Sequence, residues 1–482
     1  MCAKKTTTNK LNGRVYTPKY IVDNILDLSS YVQNNILKKH VIDNSCGDGA
    51  FLKEVVYRYC RQAHANNYDH NQLKSELETY IHGIELDASE CEKCKKNVSD
   101  VALTFGVADV NWDIVCGDTL LIDRYNGKMD FVVGNPPYVR VHNLEDSFNV
   151  VKNFSFAQDG MTDLFIVFYE IGLKMLNKTG VLGYITPSSF FNSVAGNYMR
   201  KYFVDNLLLN KIVDLKHYQA FNATTFTTIV ILNKQHQFDT VEYYQFDEKN
   251  QIPYYIDTLS VGDFYIAGNY YFAQKSELNL LKNIFYNLGH CDVVVKNGYA
   301  TLCDNVFIGE FNFPSKHIIP VIKASRGITQ QIIYPYNKNG VLITEDDLKK
   351  DASLYRYLSD KRDVLLKRDS ERNSNNQWFA FGRSQAINDT YKYKIAINSL
   401  IRTSQDLKIK AAPEGTGVYG GLYIIAKNNI YDSIRKALLC DDFTTYISLL
   451  GKYKSGGYYT FSSKDIKAYL DYKLAYNGGL YK

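Results

Sequence analysis

The sequence predicts an α/β protein: a doubly wound parallel sheet within residues 1–260, followed by a mixed α+β domain over 261–482. Three observations carry this reading. Seven short apolar runs alternate with helical patterns across the first 240 residues, as strands joined by crossover helices do. The first run opens into Asp43-Asn44-Ser45-Cys46-Gly47-Asp48-Gly49, a glycine-bearing turn that enters a helical pattern at Ala50-Phe51-Leu52. The fourth, Asp130-Phe131-Val132-Val133-Gly134, is closed by Asn135-Pro136-Pro137-Tyr138. Two consecutive prolines cannot extend a sheet, so the strand must stop there and project Asn135 and Tyr138 from its carboxyl end. In open α/β sheets that end is where ligands sit.

The strands are expected at 40–43, 81–85, 112–116, 131–133, 181–185, 211–215 and 228–232. The clearest helix is expected from Asp163 to Leu176, where apolar positions recur at helical spacing and Asn177-Lys178-Thr179-Gly180 supplies a terminating glycine. Around 245–265 the pattern dissolves into polar and aromatic connection. Beyond it short strands and Gly-rich turns prevail, without a convincing internal repeat.

Composition bounds the class. The chain has 482 residues, 45% hydrophobic and 22% charged, which suits a globular protein of two or three domains. No uninterrupted apolar run is long enough for a membrane span, and the amino terminus carries no signal-peptide core. A cytoplasmic protein is expected. The nine cysteines are scattered, as in a reducing compartment. Cys91 and Cys94 form the one C-x-x-C pair, with neither a second pair nor matching histidines, so no metal site is expected. Charge is unevenly divided. Residues 1–240 carry 25 basic and 26 acidic side chains, residues 241–482 carry 31 and 25, so the basic excess is C-terminal. Interleaved with many of the 40 tyrosines, it suits bases and phosphates, although such aromatics are most often core.

Several residue types fall at strand ends in the order a cofactor sheet needs. Glycines Gly47 and Gly49 let the backbone approach a ligand, and the helix that follows favours a carboxylate at its N-terminus. Glu85 ends the second strand, where an acidic side chain can accept both hydrogen bonds of a ribose diol. Asp118, after the third, can accept from an adenine amine. Asn135 and the carbonyl of Pro136 offer two acceptors to an exocyclic amine, and Tyr138 offers a stacking face.

Asn135-Pro136-Pro137-Tyr138 resembles the signature of S-adenosylmethionine-dependent amino-group methyltransferases, chiefly those acting on N6 of adenine. The segment 43–52 resembles their D-P-x-C-G-x-G-x-F-L loop, departing at Asn44, where the family usually has proline. Gly13-Arg14-Val15-Tyr16-Thr17-Pro18 looks like their amino-terminal motif, which closes over the methionine end of the cofactor. The segments 163–168 and 180–187 also match. The resemblance covers about residues 12–235, and its motif order is that of gamma-class N6-adenine DNA methyltransferases. It implies a Rossmann-like methyltransferase domain and a C-terminal target-recognition domain. It implies catalysis by Asn135, Pro136, Pro137 and Tyr138, and cofactor contacts from Tyr16, Thr17, Asp43, Ser45, Cys46, Gly47, Gly49, Glu85, Leu86, Asp118, Thr119, Asn135 and Phe168. On a helix, Phe168 suits core packing about as well. The base, flipped from the duplex, would lie between Tyr138 and a second aromatic. Tyr218-Gln219-Ala220-Phe221-Asn222 aligns with the loop that carries it, and Phe221 is assigned, with Tyr218 and Phe226 as rivals.

Residues 292–307 and 378–385 resemble segments of target-recognition domains, and Lys323, Arg326, Arg383, Gln385 and Arg402 are the candidate base readers, by the pairing of Arg and Lys with guanine and of Gln with adenine. The basic stretch Lys361-Arg362, Lys367-Arg368 and Arg372 reads as a solvated helix face, with phosphate contact as the alternative. Expected partners are S-adenosyl-L-methionine, double-stranded DNA and a cognate restriction endonuclease encoded nearby. The expected state is a monomer, associated with the nucleoid through DNA. The competing functions are an rRNA or protein-glutamine methyltransferase, and a non-catalytic DNA-specificity subunit.

Overall fold

The computed structural model describes residues 16–141, 148–221, 225–368, 377–427 and 429–476. It divides into two compact units, 1–279 and 280–482. The first opens with α1 (Lys19–Leu28), β1 (Val41–Asp43), α2 (Ala50–Ala65), α3 (His70–Tyr80) and β2 (Ile81–Glu85). Then come α4 (Ala88–Leu103), β3 (Asp113–Cys116), β4 (Met129–Gly134), α5 (Phe148–Val151), α6 (Leu164–Met175) and β5 (Leu176–Pro187). It continues through α7 (Asn197–Asp205), β6 (Leu209–Asp214), β7 (Thr227–Asn233), β8 (Thr240–Asp247) and β9 (Ile252–Ser260).

These nine strands form one sheet in the order β3-β2-β1-β4-β5-β7-β6-β8-β9. All seven expected strands are present. The pairs from β3 through β5 are parallel, so β1 to β4 end on the same edge. The expectation of a doubly wound parallel sheet is corrected at β7, which runs antiparallel to both β5 and β6. A parallel return needs a long crossover, usually a helix, and the described residues between β6 and β7 hold none. The expected connection around 245–265 is also corrected. It is largely the hairpin β8–β9, an antiparallel pair with a register shift between Tyr243 and Tyr244. That shift breaks the two-residue alternation by which a strand is recognised.

Alternate residues of β4 face opposite layers. Phe131 and Val133 join a core with Ile21, Val22 and Ile25 of α1 and Leu52, Val55 and Val56 of α2. Val132 faces α6 on the other side, where Gly172 lets the helix approach Leu182 and Tyr184. Helix α6 is buried on almost every residue, hence its lack of a polar face. Its end differs from expectation. Leu176 is already extended, at φ −62° and ψ 137°, so Gly180 lies inside β5 rather than capping the helix.

Residues 261–279 fall with the first unit, past the expected boundary at 260. Tyr270 Oη donates to Arg200 O at 2.6 Å, and the buried Arg200 side chain donates to Gly268 O and Phe190 O. Phe272 stacks 5.7 Å from Tyr243 of β8. Among its described residues the second unit has three small sheets of short strands, and one of its cores includes Trp378, Phe379 and Phe381. Among the described residues no helix is long and apolar enough to cross a membrane.

One close approach fixes the end of β4. A Cβ on Gly134, at φ +157°, would lie 2.7 Å from Asp43 Oδ1 on the neighbouring strand. Gly134→Ala is expected to destabilise the protein by about 1–3 kcal/mol, read as a lower urea midpoint at unchanged slope. An unaltered midpoint would mean that the Asp43 side chain can step aside.

Candidate active site

The ends of β1 to β4 and the start of α6 enclose a cavity of about 320 Å³. Its wall brings together Tyr16, Ser45, Gly47, Glu85, Leu86, Asp118, Thr119, Asn135, Pro136, Pro137, Tyr138 and Phe168, each singled out in the sequence. Phe168 is buried and still lines the cavity, so core packing and a cavity-facing position coexist.

The loops at the cavity are tied to one another. Glu85 accepts from Gly47 N through one carboxylate oxygen and from Asp87 N through the other, both at 2.9 Å. Thr119 Oγ1 donates to Asn44 O at 2.6 Å, and Tyr184 Oη donates to Asn44 Oδ1 at 2.8 Å. Asp118 caps the short turn that follows it by accepting from Leu120 N at 2.9 Å. Asn135 is gripped twice: its Nδ2 donates to Thr17 Oγ1 at 3.2 Å, and its carbonyl accepts from Ser45 Oγ at 3.4 Å. Tyr138 donates to Ile185 O at 3.1 Å, and its ring meets Phe165 and Phe221 edge-on at 6.3 Å. Burial raises its phenol well above the ordinary range, so it acts as a neutral ring.

Other expected contacts stand behind the wall. Asp43, Cys46 and Gly49 are absent from the lining and support the loop instead. Asp43 accepts from Ser45 N at 3.0 Å. Cys46 packs on Cys94, and that contact and burial push its thiol up. Gly49, at φ +90°, leaves room for Cys94 Sγ, which a Cβ would meet at 2.8 Å. The C-x-x-C pair is thus part of the core, and among the described residues no cluster could hold a metal ion. Thr17 touches Asn135 rather than the cavity. Phe221 is buried against the edge of Tyr138. Of its rivals, Tyr218 is bonded to Tyr20 Oη at 2.7 Å and packs on Phe246, while Phe226 packs on His217. Residues 13–15 of the amino-terminal motif, Asn222 and Arg372 lie outside the described residues.

Among the lining residues that the sequence reading missed are Asn44, Asp87, Glu90 and Leu164. Asn44 and Leu164 lay inside segments already singled out. Glu90 gave no signal: it is buried in the first turn of α4, where it accepts from Tyr16 Oη at 3.3 Å and pairs with Lys93 at 2.8 Å. Glu85, Asp87, Glu90 and Asp118 give the cavity four carboxylates, and no described basic side chain lines it. Such a field suits a ligand bearing positive charge.

In the second unit, Arg326 and Arg383 are exposed. Lys323 Nζ lies 5.5 Å from the Tyr419 ring centroid. Arg402 stacks 4.7 Å over Tyr458 and lies 3.5 Å from Asp406. Gln385 commits its Nε2 to Gly298 O at 2.5 Å. The basic stretch is not simply a solvated face. Arg368 is buried and donates to the carbonyls of Leu365, Thr301, Ala380 and Trp378, and Arg362 stacks 5.0 Å over Trp378.

All the described lining residues of this cavity except Tyr16 fall within the stretch that matches a known family. Residues 22–221 match the Eco57I restriction-modification methylase family. The chain is 27% identical over 422 residues to the Type II methyltransferase M.BstVI of Geobacillus stearothermophilus, covering 77% of this chain and 74% of that protein. It is 23% identical to the Type II restriction enzyme and methyltransferase RM.Eco57I of Escherichia coli, covering 77% and 47%. The solved structure of the Type IIL restriction-modification enzyme MmeI in complex with DNA aligns with a TM-score of 0.59 at 14% identity, over 95% of this chain and 64% of that one. The type IIG restriction endonuclease BpuSI aligns at 0.50 and 13%, over 94% and 58%. The chain therefore spans about half of the Escherichia coli relative and under two thirds of both structures. The two structural likenesses extend the shared fold across both units.

Burial pushes the Asp43 carboxyl up to about 8, against the opposing hydrogen bond from Ser45 N. The unfolded value is about 4, so between the two the folded chain holds a proton that the unfolded chain has released. This contribution to stability is complete below about pH 4 and is lost as pH rises through about 8. Melting temperatures from pH 5 to 9 are expected to fall more steeply for the natural protein than for Asp43→Asn. Parallel curves would show Asp43 already ionised at pH 5.

Proposed function

We propose that this chain is a DNA methyltransferase that transfers a methyl group from S-adenosylmethionine to N6 of an adenine flipped out of a short duplex sequence. The observation that carries the reading is that Asn135, Pro136 and Tyr138 line the same cavity as Glu85, Asp118 and Phe168. An acceptor pair and an aromatic ring thus adjoin carboxylates held at strand ends. The Type II methyltransferase relatives support the reaction class, and the DNA-bound MmeI structure supports DNA as the substrate.

The donor set fits the cofactor. Glu85 is held by two backbone N–H groups with carboxylate lone pairs remaining for a ribose diol, Asp118 sits one strand along, and Leu86, Leu164 and Phe168 give apolar walls. S-adenosylmethionine supplies a methyl group on positively charged sulfur, which suits a cavity lined by carboxylates and by no described basic side chain. The chain's own task is to make a poor nucleophile competent. The lone pair of an adenine amine is delocalised into its ring. The Asn135 side-chain oxygen and the Pro136 carbonyl accept hydrogen bonds from its two N–H groups, which favours a pyramidal nitrogen with a localised lone pair. Proline keeps its carbonyl while offering no competing N–H. After transfer the nitrogen sheds a proton to water, so no side chain of tuned pKa is required. Extrusion costs a few kcal/mol, and stacking on Tyr138 returns about 1–3 kcal/mol. In this reading Phe221 closes the second face of the base after moving off the Tyr138 edge.

The second unit supplies recognition in this proposal, with Arg326 and Arg383 the most available of the five candidates. The protein works as a cytoplasmic monomer on chromosomal DNA and protects it from a partner endonuclease.

The test is single-molecule, modification-aware sequencing of DNA from cells expressing the chain, beside an Asn135→Ala control. One motif modified at N6 of adenine is expected, with transfer reduced at least about 100-fold in the variant while its calorimetric affinity for S-adenosylmethionine is retained. Unmodified DNA from a folded protein that binds the cofactor would move the assignment to an RNA or protein substrate.

A further inference from the structure

A primary amide has nearly the same shape either way round, yet only its oxygen can receive a hydrogen from an amine. If Asn135 is to act as an acceptor, its nitrogen must be satisfied elsewhere. The structure provides that partner in Thr17, whose Oγ1 accepts from Asn135 Nδ2 at 3.2 Å. A hydroxyl can donate or accept, so the arrangement is chosen jointly. The substrate amine, with two hydrogens to give, demands the oxygen of Asn135, and Thr17 takes the nitrogen left over.

Thr17 is well placed to hold this position. Pro18, which follows it, caps α1, and its carbonyl accepts from Ile21 N at 3.0 Å and Val22 N at 3.2 Å. Helix α1 is anchored by Ile21, Val22, Ile25 and Leu26, all essentially without solvent exposure. On the other side of Thr17, Tyr16 bonds to Glu90 of α4. Thr17 is therefore held between an anchored helix and a tether to α4. Unlike Tyr16, it is not part of the cavity wall, so its contact with Asn135 is the more direct clue to its role than the cofactor contact expected from the sequence.

We propose that Thr17 is a positioning residue: it fixes the Asn135 carboxamide with its oxygen toward the amine to be methylated. This rests on the methyltransferase reading above. Removing the hydroxyl leaves the Asn135 nitrogen facing a methyl group and lets the amide turn, which lowers the rate of transfer without loosening the cofactor.

The experiment compares Thr17→Val, Thr17→Ser, Asn135→Ala and the unsubstituted chain. It reads the single-turnover rate of methyl transfer to DNA at saturating S-adenosylmethionine, and the cofactor dissociation constant by calorimetry. Thr17→Val is expected to slow transfer about 10–100-fold with a dissociation constant within about threefold. Thr17→Ser, which retains the hydroxyl, is expected to rescue most of that rate. A natural rate in Thr17→Val overturns the proposal, as does a loss confined to cofactor affinity. Should Thr17→Val not fold, Thr17→Ala takes its place, and its rate and cofactor affinity are interpreted in the same way. The outcomes separate the two levels of argument. No transfer by the natural chain defeats the methyltransferase reading, whereas a natural chain that is active, an inactive Asn135→Ala and an unaffected Thr17→Val defeat only the role of Thr17.

Discussion

The contact between the Asp43 carboxyl and Gly134 sets the geometry on which the rest of the site depends. Strands β1 and β4 are neighbours, with Asp43 opposite Val133, and each ends in a loop that contributes to the cavity. The carboxyl occupies the space where any other residue at 134 would carry its Cβ, and it also holds Ser45 N. Ser45 in turn reaches the carbonyl of Asn135. The two loops are thereby fixed against each other within hydrogen-bond tolerance. Displacements of about 1 Å can cost a reaction two orders of magnitude, so this packing matters more than its modest energy suggests.

The remaining loops follow the same plan. Residues following or ending three of the strands bond to other segments at the site: Glu85 to the glycine turn, Thr119 to Asn44, Asn135 to Thr17. Much of the hydrogen bonding is to main chain, which fixes loop shape without consuming the side chains of neighbours. The cysteines near the site belong to this scaffold. Cys46 and Cys94 fill the space beneath the glycine turn, and their buried thiols are poor nucleophiles.

Much of this was legible in the sequence, and the exceptions have physical causes. The seven strands were readable because their apolar runs are bounded by turn residues, and the Pro136-Pro137 stop was readable because proline chemistry leaves no alternative. The direction of β7 was not, because a run such as Thr228-Ile229-Val230-Ile231-Leu232 looks the same in either orientation. The bulge at Tyr243 and Tyr244 hid the β8–β9 hairpin. Gly180 looked like a helix cap because composition cannot distinguish a capping glycine from one inside a strand. Glu90 escaped because a buried glutamate on a charged helix resembles its solvated neighbours until the fold turns it inward. The same limit applied to Arg368, whose carbonyl partners include Thr301, Trp378 and Ala380, all distant from it in sequence. Strand-end motifs are local and announce themselves; partners assembled across the chain do not.

Three hydrophobic clusters are each drawn from a single unit. The core around α1, α2 and β4 is drawn wholly from the first, and the cores around Trp378 and Tyr423 wholly from the second. A substitution in the Trp378 core therefore changes none of the side chains packed around β4, so sequence can vary there without touching the strand that leads to Asn135. The division of hydrophobic cores is, in that sense, a division of evolutionary risk.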